Sequence, residues 1–293
     1  MYPSAFEYLA VRSFDEAIEA LGRFGAGAKV LAGGASLIPL MKLRLAEPSH
    51  LVDINRIPDA SYVRDADGGL VLGPLLREAD LEASPLVRER FPILLDTTRV
   101  IADPIVRNMG TVVGNLAHGD PANDHPAAML ALGAELILAG PTGRRSVAVD
   151  DFFVGLFETA LAADEVVVEL RIPAPSRRSG GAYVKFERQV GDFGMAGAAV
   201  VVSLDEASCV AEARIALTNA GPTPIRATAA EALLAGRSVD DDLVRATGEA
   251  ARQDIEPWAD LRGGSEFKRR LAGVAVERAL RTAVARARGG SDG

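Results

Sequence analysis

The chain has 293 residues, of which 48% are hydrophobic, enough for a sizeable core and for two or three packed lobes. Forty acidic residues against 32 basic ones give a formal net charge of -8. This charge opposes binding to phosphate backbones and anionic lipid and excludes nucleic acid as an expected partner. No signal-peptide pattern opens the sequence, and no apolar run reaches the roughly 18 residues of a membrane span. We therefore expect a soluble, cytoplasmic protein without a membrane span.

Cys209 is the only cysteine. A single thiol cannot form an intramolecular disulfide, and it cannot supply a four-thiolate iron-sulfur or zinc site from this chain alone. Any such centre that works with this protein has to be held by another chain.

The N-terminal segment predicts a strand, a glycine turn, a helix and a second strand. A helix over 14–21 precedes a short strand at 29–32, which runs into Gly33-Gly34. Ser36 can cap the next helix, and 51–54 is the following strand. This order predicts a right-handed crossover and a partly parallel sheet.

The middle of the chain begins with a predicted hairpin over 61–77, with Asp67-Gly68-Gly69 as its turn. A helical region follows through Val106. Residues 110–126 are rich in Gly, Asn, Asp and Pro and predict an unusually long loop, of a kind that often binds ligands. Further strands are predicted near 135–139 and 165–172.

A run rich in Pro, Ser and Gly at 173–181 is the best candidate for a linker. The segment after it predicts a small α+β lobe, and only its Ser-Asp-Gly tail, 291–293, is expected to be disordered. Alternation places Tyr183, Lys185 and Glu187 on one face of the first strand, opposite Val184 and Phe186. The predicted strands are 182–187, 197–204 and 211–218, and the predicted helices lie near 226–235, 240–253 and 265–288.

The glycine turn at 32–36 has two interpretations. Its backbone N-H groups, at the start of a helix, can face an anion such as a pyrophosphate. Alternatively, the glycines serve only tight packing, because a short glycine pair is a weak signal. A GxGxxG motif after a strand is absent, and the segment 22–29 lacks the ending of a phosphate loop.

The second polar constellation lies in the segment 110–126. Thr111, Gly114 and Asn115 offer donors and close backbone approach, while Asp120 and Asp124 offer carboxylates that can bind ribose hydroxyls. Asp124 has an alternative role as the N-cap of a helix over 126–132. The two carboxylates and the neighbouring histidines, His118 and His125, show no recognised metal-ligand spacing, so no metal site is predicted.

These motifs, taken together, resemble the FAD-binding medium subunits of aerobic carbon monoxide dehydrogenases and related xanthine dehydrogenase-like enzymes. The resemblance covers nearly the whole chain. It is strongest over residues 32–45, 51–55, 110–124, 152–161 and 183–197.

The resemblance implies an α+β flavin fold of the vanillyl alcohol oxidase and carbon monoxide dehydrogenase flavoprotein type. FAD would lie between two N-terminal subdomains, 1–57 and 58–176. A C-terminal α+β lobe, 177–289, with an antiparallel sheet of three or more strands and packed helices, would lie against the flavin ring.

The resemblance also implies positions for the parts of FAD. The pyrophosphate would contact the first glycine turn and the second polar loop, the adenosine half would follow the second loop, and the isoalloxazine would lie against later residues. A Lys at the pyrimidine end of the ring would stabilise the anionic reduced flavin. The residues are Lys29, Ala32, Gly33, Gly34, Ala35, Ser36, Leu37, Thr111 and Gly114 for the pyrophosphate, Asn115, Ala117 and Asp124 for adenosine, and Leu161, Lys185, Asp192 and Phe193 for the ring.

For two of these residues an ordinary structural role is the alternative: Lys185 as a solvated strand lysine and Phe193 as a core aromatic. The chain also departs from the resembled pattern at three positions. Ala35 stands where the family usually has His or Gln, Val113 where it commonly has Gly, and Phe193 where it often has Tyr. Val113 would be strained at a positive φ, because its side chain is β-branched.

The implied function is electron relay, with no catalytic residue acting on an organic substrate in this chain. A molybdenum-pterin large subunit and a [2Fe-2S] small subunit would complete a heterotrimer, expected to be doubled. Electrons would pass through FAD to NAD, quinone or oxygen. Two rivals remain: a self-contained flavoenzyme, identified by substrate-dependent flavin reduction without partners, and an assembly subunit that has lost FAD.

Overall fold

The computed structural model describes residues 2–253 and 255–289, so the predicted disordered tail at 291–293 lies outside the described residues. The predicted α+β fold is confirmed, and the described residues form three principal sheets. The first is a three-stranded parallel sheet in the order β1-β3-β2, which confirms the predicted parallel pairing around the glycine turn. Its elements are β1 (Glu7–Ala10), α1 (Phe14–Phe24), β2 (Ala28–Leu31), α2 (Leu37–Lys42) and β3 (His50–Asp53).

Helix α1 shows how sequence sets this unit. The Ser13 side chain accepts a hydrogen bond from the Glu16 N-H at the helix start, and Ala17, Ile18 and Leu21 are buried on one face. The predicted cap at Ser36 is wrong. Ser36 has helical φ and ψ, and its side chain makes no capping hydrogen bond, because an N-cap side chain reaches the helix only from an extended residue.

The second unit is built on a five-stranded antiparallel sheet, in the order β4-β5-β10-β6-β7. Asp67 and Gly68, with φ of 50° and 86°, form the turn of the predicted hairpin, and Gly69 already belongs to the next strand. The elements are β4 (Val63–Ala66), β5 (Gly69–Leu72), α3 (Glu78–Ala83), α4 (Pro85–Arg90), α5 (Pro92–Arg99), α6 (Pro104–Met109), α7 (Val112–Ala117), α8 (His125–Leu132), β6 (Glu135–Gly140), β7 (Gly143–Ala148), β8 (Phe153–Gly155), β9 (Glu158–Thr159) and β10 (Val166–Ile172).

The prediction of one long loop over 110–126 is wrong. Helix α7 lies inside it, capped by the Thr111 side chain, which accepts from the Gly114 N-H. Val112, Val113 and Leu116 are buried in the core of this unit. Their helical spacing was hidden by the polar residues around them. The preceding helical region also runs to Met109 rather than to Val106.

The third unit is a four-stranded antiparallel sheet covered by helices, as predicted for the C-terminal lobe. The long helix α11 packs so closely on this sheet that a Cβ at Gly180 would overlap the Ala283 carbonyl oxygen. The elements are β11 (Ser179–Phe186), β12 (Ala196–Leu204), β13 (Val210–Thr218), β14 (Ile225–Arg226), α9 (Thr228–Leu234), α10 (Asp241–Ala251) and α11 (Ser265–Ala287).

The second unit lies between the other two. Its core includes Tyr183, Ala199 and Ala216 from the third unit, and Ile137 and Val166 from its own sheet join the core of the first unit. Shared cores of this kind hold the three units in fixed positions. Among the helices of the described residues, none has the length and apolar character that crossing a bilayer requires.

Candidate functional site

The two predicted glycine segments meet in space. A Cβ at Gly33 would overlap the Met109 carbonyl oxygen and lie 2.8 Å from the Gly110 Cα. Gly34, the next residue, has a φ of +72°, which favours glycine. The loop at 32–36 therefore packs directly against Met109 and Gly110, which come just before the predicted pyrophosphate residue Thr111.

Two polar side chains tie these loops together. The Asn55 side-chain amide donates to the Ala32 carbonyl at 2.8 Å, and Arg77 donates to the Met109 carbonyl at 2.7 Å. Arg77 also donates to the Asn55 Oδ1 at 2.6 Å. Burial lowers the pKa of Arg77. Neither residue was predicted from the sequence, where the only signal is that Asn55 lies just after a strand and Arg77 just before a helix.

The second loop offers an acceptor to a ligand. The Asn115 Oδ1 is buried without a hydrogen-bond partner among the described residues. The backbone of Asn115 is held by the Asn123 side-chain amide, which donates to its carbonyl at 2.9 Å. A buried amide oxygen without a donor is unfavourable, so a cofactor with amino or hydroxyl groups fits this position. The contact between the two glycine loops and this buried oxygen of Asn115 together fit an elongated nucleotide such as FAD.

The remaining predicted residues of this end lie around the two loops. Lys29 is exposed on β2, and Ala35 is exposed on the first loop. Val113 has a negative φ and lies in α7 with 4% exposure, so the strain expected at this position is absent. The other residues are Ser36, Leu37 and Ala117, all half-buried, and Leu161, half-buried against the core of the second unit.

A buried charged cluster, the second part of the candidate site, lies between α8 and β11. The Lys185 Nζ donates to the Asp124 Oδ2 at 3.1 Å and to the Val100 carbonyl at 2.9 Å. The Tyr183 hydroxyl donates to the Asp124 Oδ1 at 2.7 Å. The Lys185 side chain is only 2% exposed. The alternative of a solvated strand lysine is therefore wrong.

Asp124 precedes α8 but makes no capping hydrogen bond, because its carboxylate turns towards Tyr183 and Lys185. Burial raises the pKa of Asp124, although Lys185 and Tyr183 act in the opposite direction. Glu187 adds a second carboxylate, 3.4 Å from the Lys185 Nζ. The predicted strand face of Tyr183, Lys185 and Glu187 is confirmed, and Val184 and Phe186 pack on the opposite core.

Asp192 and Phe193 lie on an adjacent loop, where Arg262 organises them. Arg262 donates to both carboxylate oxygens of Asp192, at 2.9 and 2.6 Å, and its guanidinium lies 5.7 Å from the Phe193 ring centroid. Hydrogen bonding from Arg262 lowers the pKa of Asp192. Phe193 is 48% exposed, so it is not a core aromatic. Arg262 was not predicted, because it lies 70 positions from Asp192 and no local sequence pattern indicates their contact.

His125 and Asp124 of the second loop are each paired with a side chain from outside the loop. The His125 Nε2 lies 2.6 Å from the Glu78 Oε2, while Asp124 binds Lys185. Burial lowers the pKa of His118. Over residues 2–253 and 255–289, three or more His, Cys, Asp or Glu side chains are nowhere grouped as a metal ion requires.

Comparison with known proteins gives matches along the whole chain. Residues 4–175 match the family described as the FAD binding domain in molybdopterin dehydrogenase, and residues 181–283 match the CO dehydrogenase flavoprotein C-terminal domain. The carbon monoxide dehydrogenase medium chain of Hydrogenophaga pseudoflava is 46% identical over 98% of this chain and 99% of its own length.

Two solved structures have the same fold. The carbon monoxide dehydrogenase structure from Hydrogenophaga pseudoflava matches with a TM-score of 0.95 at 48% identity, covering 98% of this chain and 99% of that one. Quinoline 2-oxidoreductase from Pseudomonas putida 86 matches with a TM-score of 0.92 at 32% identity, with the same coverage of 98% and 99%. The chain therefore belongs to the family of FAD-binding medium subunits of molybdenum hydroxylase-type oxidoreductases, and FAD is its cofactor.

Proposed function

We propose that this chain receives electrons from an iron-sulfur subunit and passes them through FAD to a small-molecule acceptor. Its partners would be a molybdenum-pterin large subunit and a [2Fe-2S] small subunit. The observation that carries the proposal is the meeting of the two glycine loops at one end of a site whose other end is a buried charged cluster. Cys209 alone cannot hold the iron-sulfur clusters, so they belong to another subunit.

The proposed position of FAD follows the two ends of this site. The pyrophosphate would lie against Ala32, Gly33, Gly34, Ala35 and Ser36 of the first loop and Thr111 and Gly114 of the second, flanked by Lys29 and Leu37. Asn115 and Ala117 would contact the adenosine half, and the isoalloxazine would lie near Leu161, Asp192 and Phe193. When bound, FAD supplies a ring that accepts two electrons and releases them singly or in pairs.

Asp124 has a different place in this proposal from the one that the sequence suggested. Its carboxylate binds Lys185 at 3.1 Å, so the two residues cannot serve opposite ends of an extended cofactor. We assign both to a buried layer beneath the ring. Within that layer the ammonium of Lys185 is compensated by Asp124 and Glu187. The effect of Lys185 on the reduced flavin therefore depends on these two carboxylates.

The proposed division of the chain into 1–57, 58–176 and 177–289 is supported by the sheets. The parallel sheet ends at Asp53, the five-stranded sheet spans 63–172, and the third sheet begins at Ser179. Each proposed segment thus contains one principal sheet with its own helices. A cofactor between the first two segments contacts both glycine loops.

The test is purification of the protein from its native source, with flavin, molybdenum and iron analysis. We expect co-eluting molybdenum and iron-sulfur subunits, and flavin absorption bands that bleach when the complex is given its substrate. Substrate-dependent flavin reduction by this chain without partners would instead establish a self-contained flavoenzyme. A chain that purifies alone, without molybdenum or iron, would also contradict the proposal.

A further inference from the structure

Asn55 and Arg77 lie beside the two glycine loops and are not among the residues proposed to contact FAD. Asn55 follows β3 in the first unit, and Arg77 precedes α3 in the second. Their side chains meet at 2.6 Å, so they join the two units just where the loops meet. Each also holds a backbone carbonyl of one loop, Ala32 for Asn55 and Met109 for Arg77.

These two carbonyls fix Gly33 from both sides. A trans peptide directs its N-H opposite to its carbonyl. With the Ala32 carbonyl held by Asn55, the N-H of Gly33 therefore points away from Asn55. The Met109 carbonyl, held by Arg77, is the atom that a Cβ at Gly33 would overlap. The position and the direction of the Gly33 peptide thus depend on Asn55 and Arg77 together.

The Asn55 side chain has only one satisfactory orientation. Its Oδ1 accepts from Arg77, and its amide donates to the Ala32 carbonyl and, at 2.6 Å, to the Asp53 Oδ1. A rotated amide would turn its oxygen towards two acceptors. Asp53 is itself held by the Tyr8 hydroxyl. Burial acts to raise the pKa of Asp53, but hydrogen bonds from Tyr8 and Asn55 outweigh it, and the pKa lies below its ordinary value.

We propose that Arg77 and Asn55 are positioning residues for the FAD pyrophosphate: a clamp that aligns the two glycine loops by holding the Ala32 and Met109 carbonyls. The inference rests on the proposed placement of the pyrophosphate at these loops. The planar guanidinium of Arg77 binds two acceptors in fixed directions, which the single ammonium of a lysine cannot reproduce. The geometry of the fork, in addition to its positive charge, sets the loop positions.

The test is equilibrium titration of the apoprotein with FAD, and separately with ADP, which carries the pyrophosphate without the ring. Arg77→Lys keeps the charge and loses the fork. We expect its Kd for both ligands to rise by about tenfold to hundredfold, as expected for lost charge-assisted hydrogen bonds. Asn55→Ala should weaken both ligands similarly. The double variant Asn55→Ala/Arg77→Lys should be little weaker than either single variant, because both belong to one clamp.

Thermal unfolding of the apoproteins and a matched control complete the experiment. Arg88→Lys changes an exposed arginine on α4 and should leave both Kd values unchanged. Wild-type affinities for FAD and ADP in folded Arg77→Lys and Asn55→Ala would overturn the clamp, even if their melting temperatures fall. If Arg77→Lys does not fold, Asn55→Ala alone decides between these results. A wild-type apoprotein that binds neither ligand would overturn the proposed placement of FAD, and the clamp with it.

Discussion

The two ends of the proposed site, the glycine loops and the charged cluster, are held together by different interactions. At the glycine end, backbone atoms of two loops come into direct contact, and the side chains of Asn55 and Arg77 donate hydrogen bonds to their carbonyls. At the charged end, Lys185 and Asp124 are buried side chains from distant segments that satisfy each other. The structure of the glycine end therefore depends on the absence of a side chain at Gly33, and that of the charged end on a compensating charge.

The largest loss of stability is expected at the charged end, when Lys185 is replaced. Lys185→Met leaves the buried Asp124 and the half-buried Glu187 without the ammonium between them. We expect the free energy of unfolding of the apoprotein to fall by about 3 to 5 kcal/mol, as when one partner of a buried ion pair is lost. Chemical denaturation measures this change. Asp124→Asn in the same background should recover part of the loss, because it removes one uncompensated carboxylate.

The exposed lysine Lys42, at the end of α2, provides the matched control. Lys42→Met should change the free energy of unfolding by less than about 0.5 kcal/mol. Equal losses for Lys185→Met and Lys42→Met would mean that the buried cluster contributes nothing beyond an ordinary surface charge.

The glycine end is broken by adding one methyl group. In Gly33→Ala the new Cβ overlaps the Met109 carbonyl, and the two loops have to separate. Overpacking of this kind costs about 1 to 3 kcal/mol. If this cost falls on the FAD-binding arrangement of the loops, the Kd for FAD should rise by a factor between about 5 and about 100. Gly22→Ala is the control, since a Cβ there meets nothing within 4 Å. In α1 it should slightly stabilise the helix and leave FAD binding unchanged.

Acid titration sharpens the comparison between Asp192 and Asp124. The pKa of Asp192 is lowered by its hydrogen bonds to Arg262. The stabilisation from Asp192 is therefore fully present above its unfolded pKa of about 3.9 and is lost as the pH falls through the folded value. Because the pair is partly exposed, its size should be under about 1 kcal/mol. Arg262→Gln should remove this acid-side loss in unfolding experiments between about pH 2 and 5.

Asp124 should behave in the opposite way, because burial raises its pKa. Its ionisation in the unfolded chain above a pH of about 3.9 favours unfolding, so stability falls as the pH rises from there towards the folded pKa. Asp124→Asn should flatten that decline. The same pH profile for Asp124→Asn and the wild type would contradict the direction assigned to Asp124.

A small effect on FAD binding is expected at Phe193, whose ring is half exposed beside Arg262. Phe193→Tyr adds a hydroxyl at the edge of the proposed ring position without changing the packing of the loop. We expect the Kd for FAD to change by less than about tenfold, which corresponds to the energy of a single hydrogen bond. Titration and the midpoint potential of the bound flavin measure the change. A larger loss of affinity would mean that the ring is packed against Phe193 more tightly than proposed.

The same comparison explains what the sequence revealed. The two glycine motifs could be predicted from the sequence, because turns depend mainly on neighbouring residues. Their contact in space could not be predicted in this way. Arg262 and Asn55 could not be found in this way, since their partners are set by tertiary packing. Helix α7 was hidden because its three buried residues, Val112, Val113 and Leu116, stand among polar ones. The strand face of Lys185 was predicted, but its carboxylate partner on α8 was not.

In the proposed arrangement, this chain holds one FAD between the glycine loops and the charged cluster. Equilibrium titration of the folded apoprotein with FAD, followed by flavin absorbance and fluorescence, tests it most directly. We predict saturation at one FAD per chain, with Gly33→Ala binding more weakly and Gly22→Ala binding as the wild type does. A folded wild-type chain without saturable FAD binding, or a Gly33→Ala variant with unchanged affinity, would contradict it.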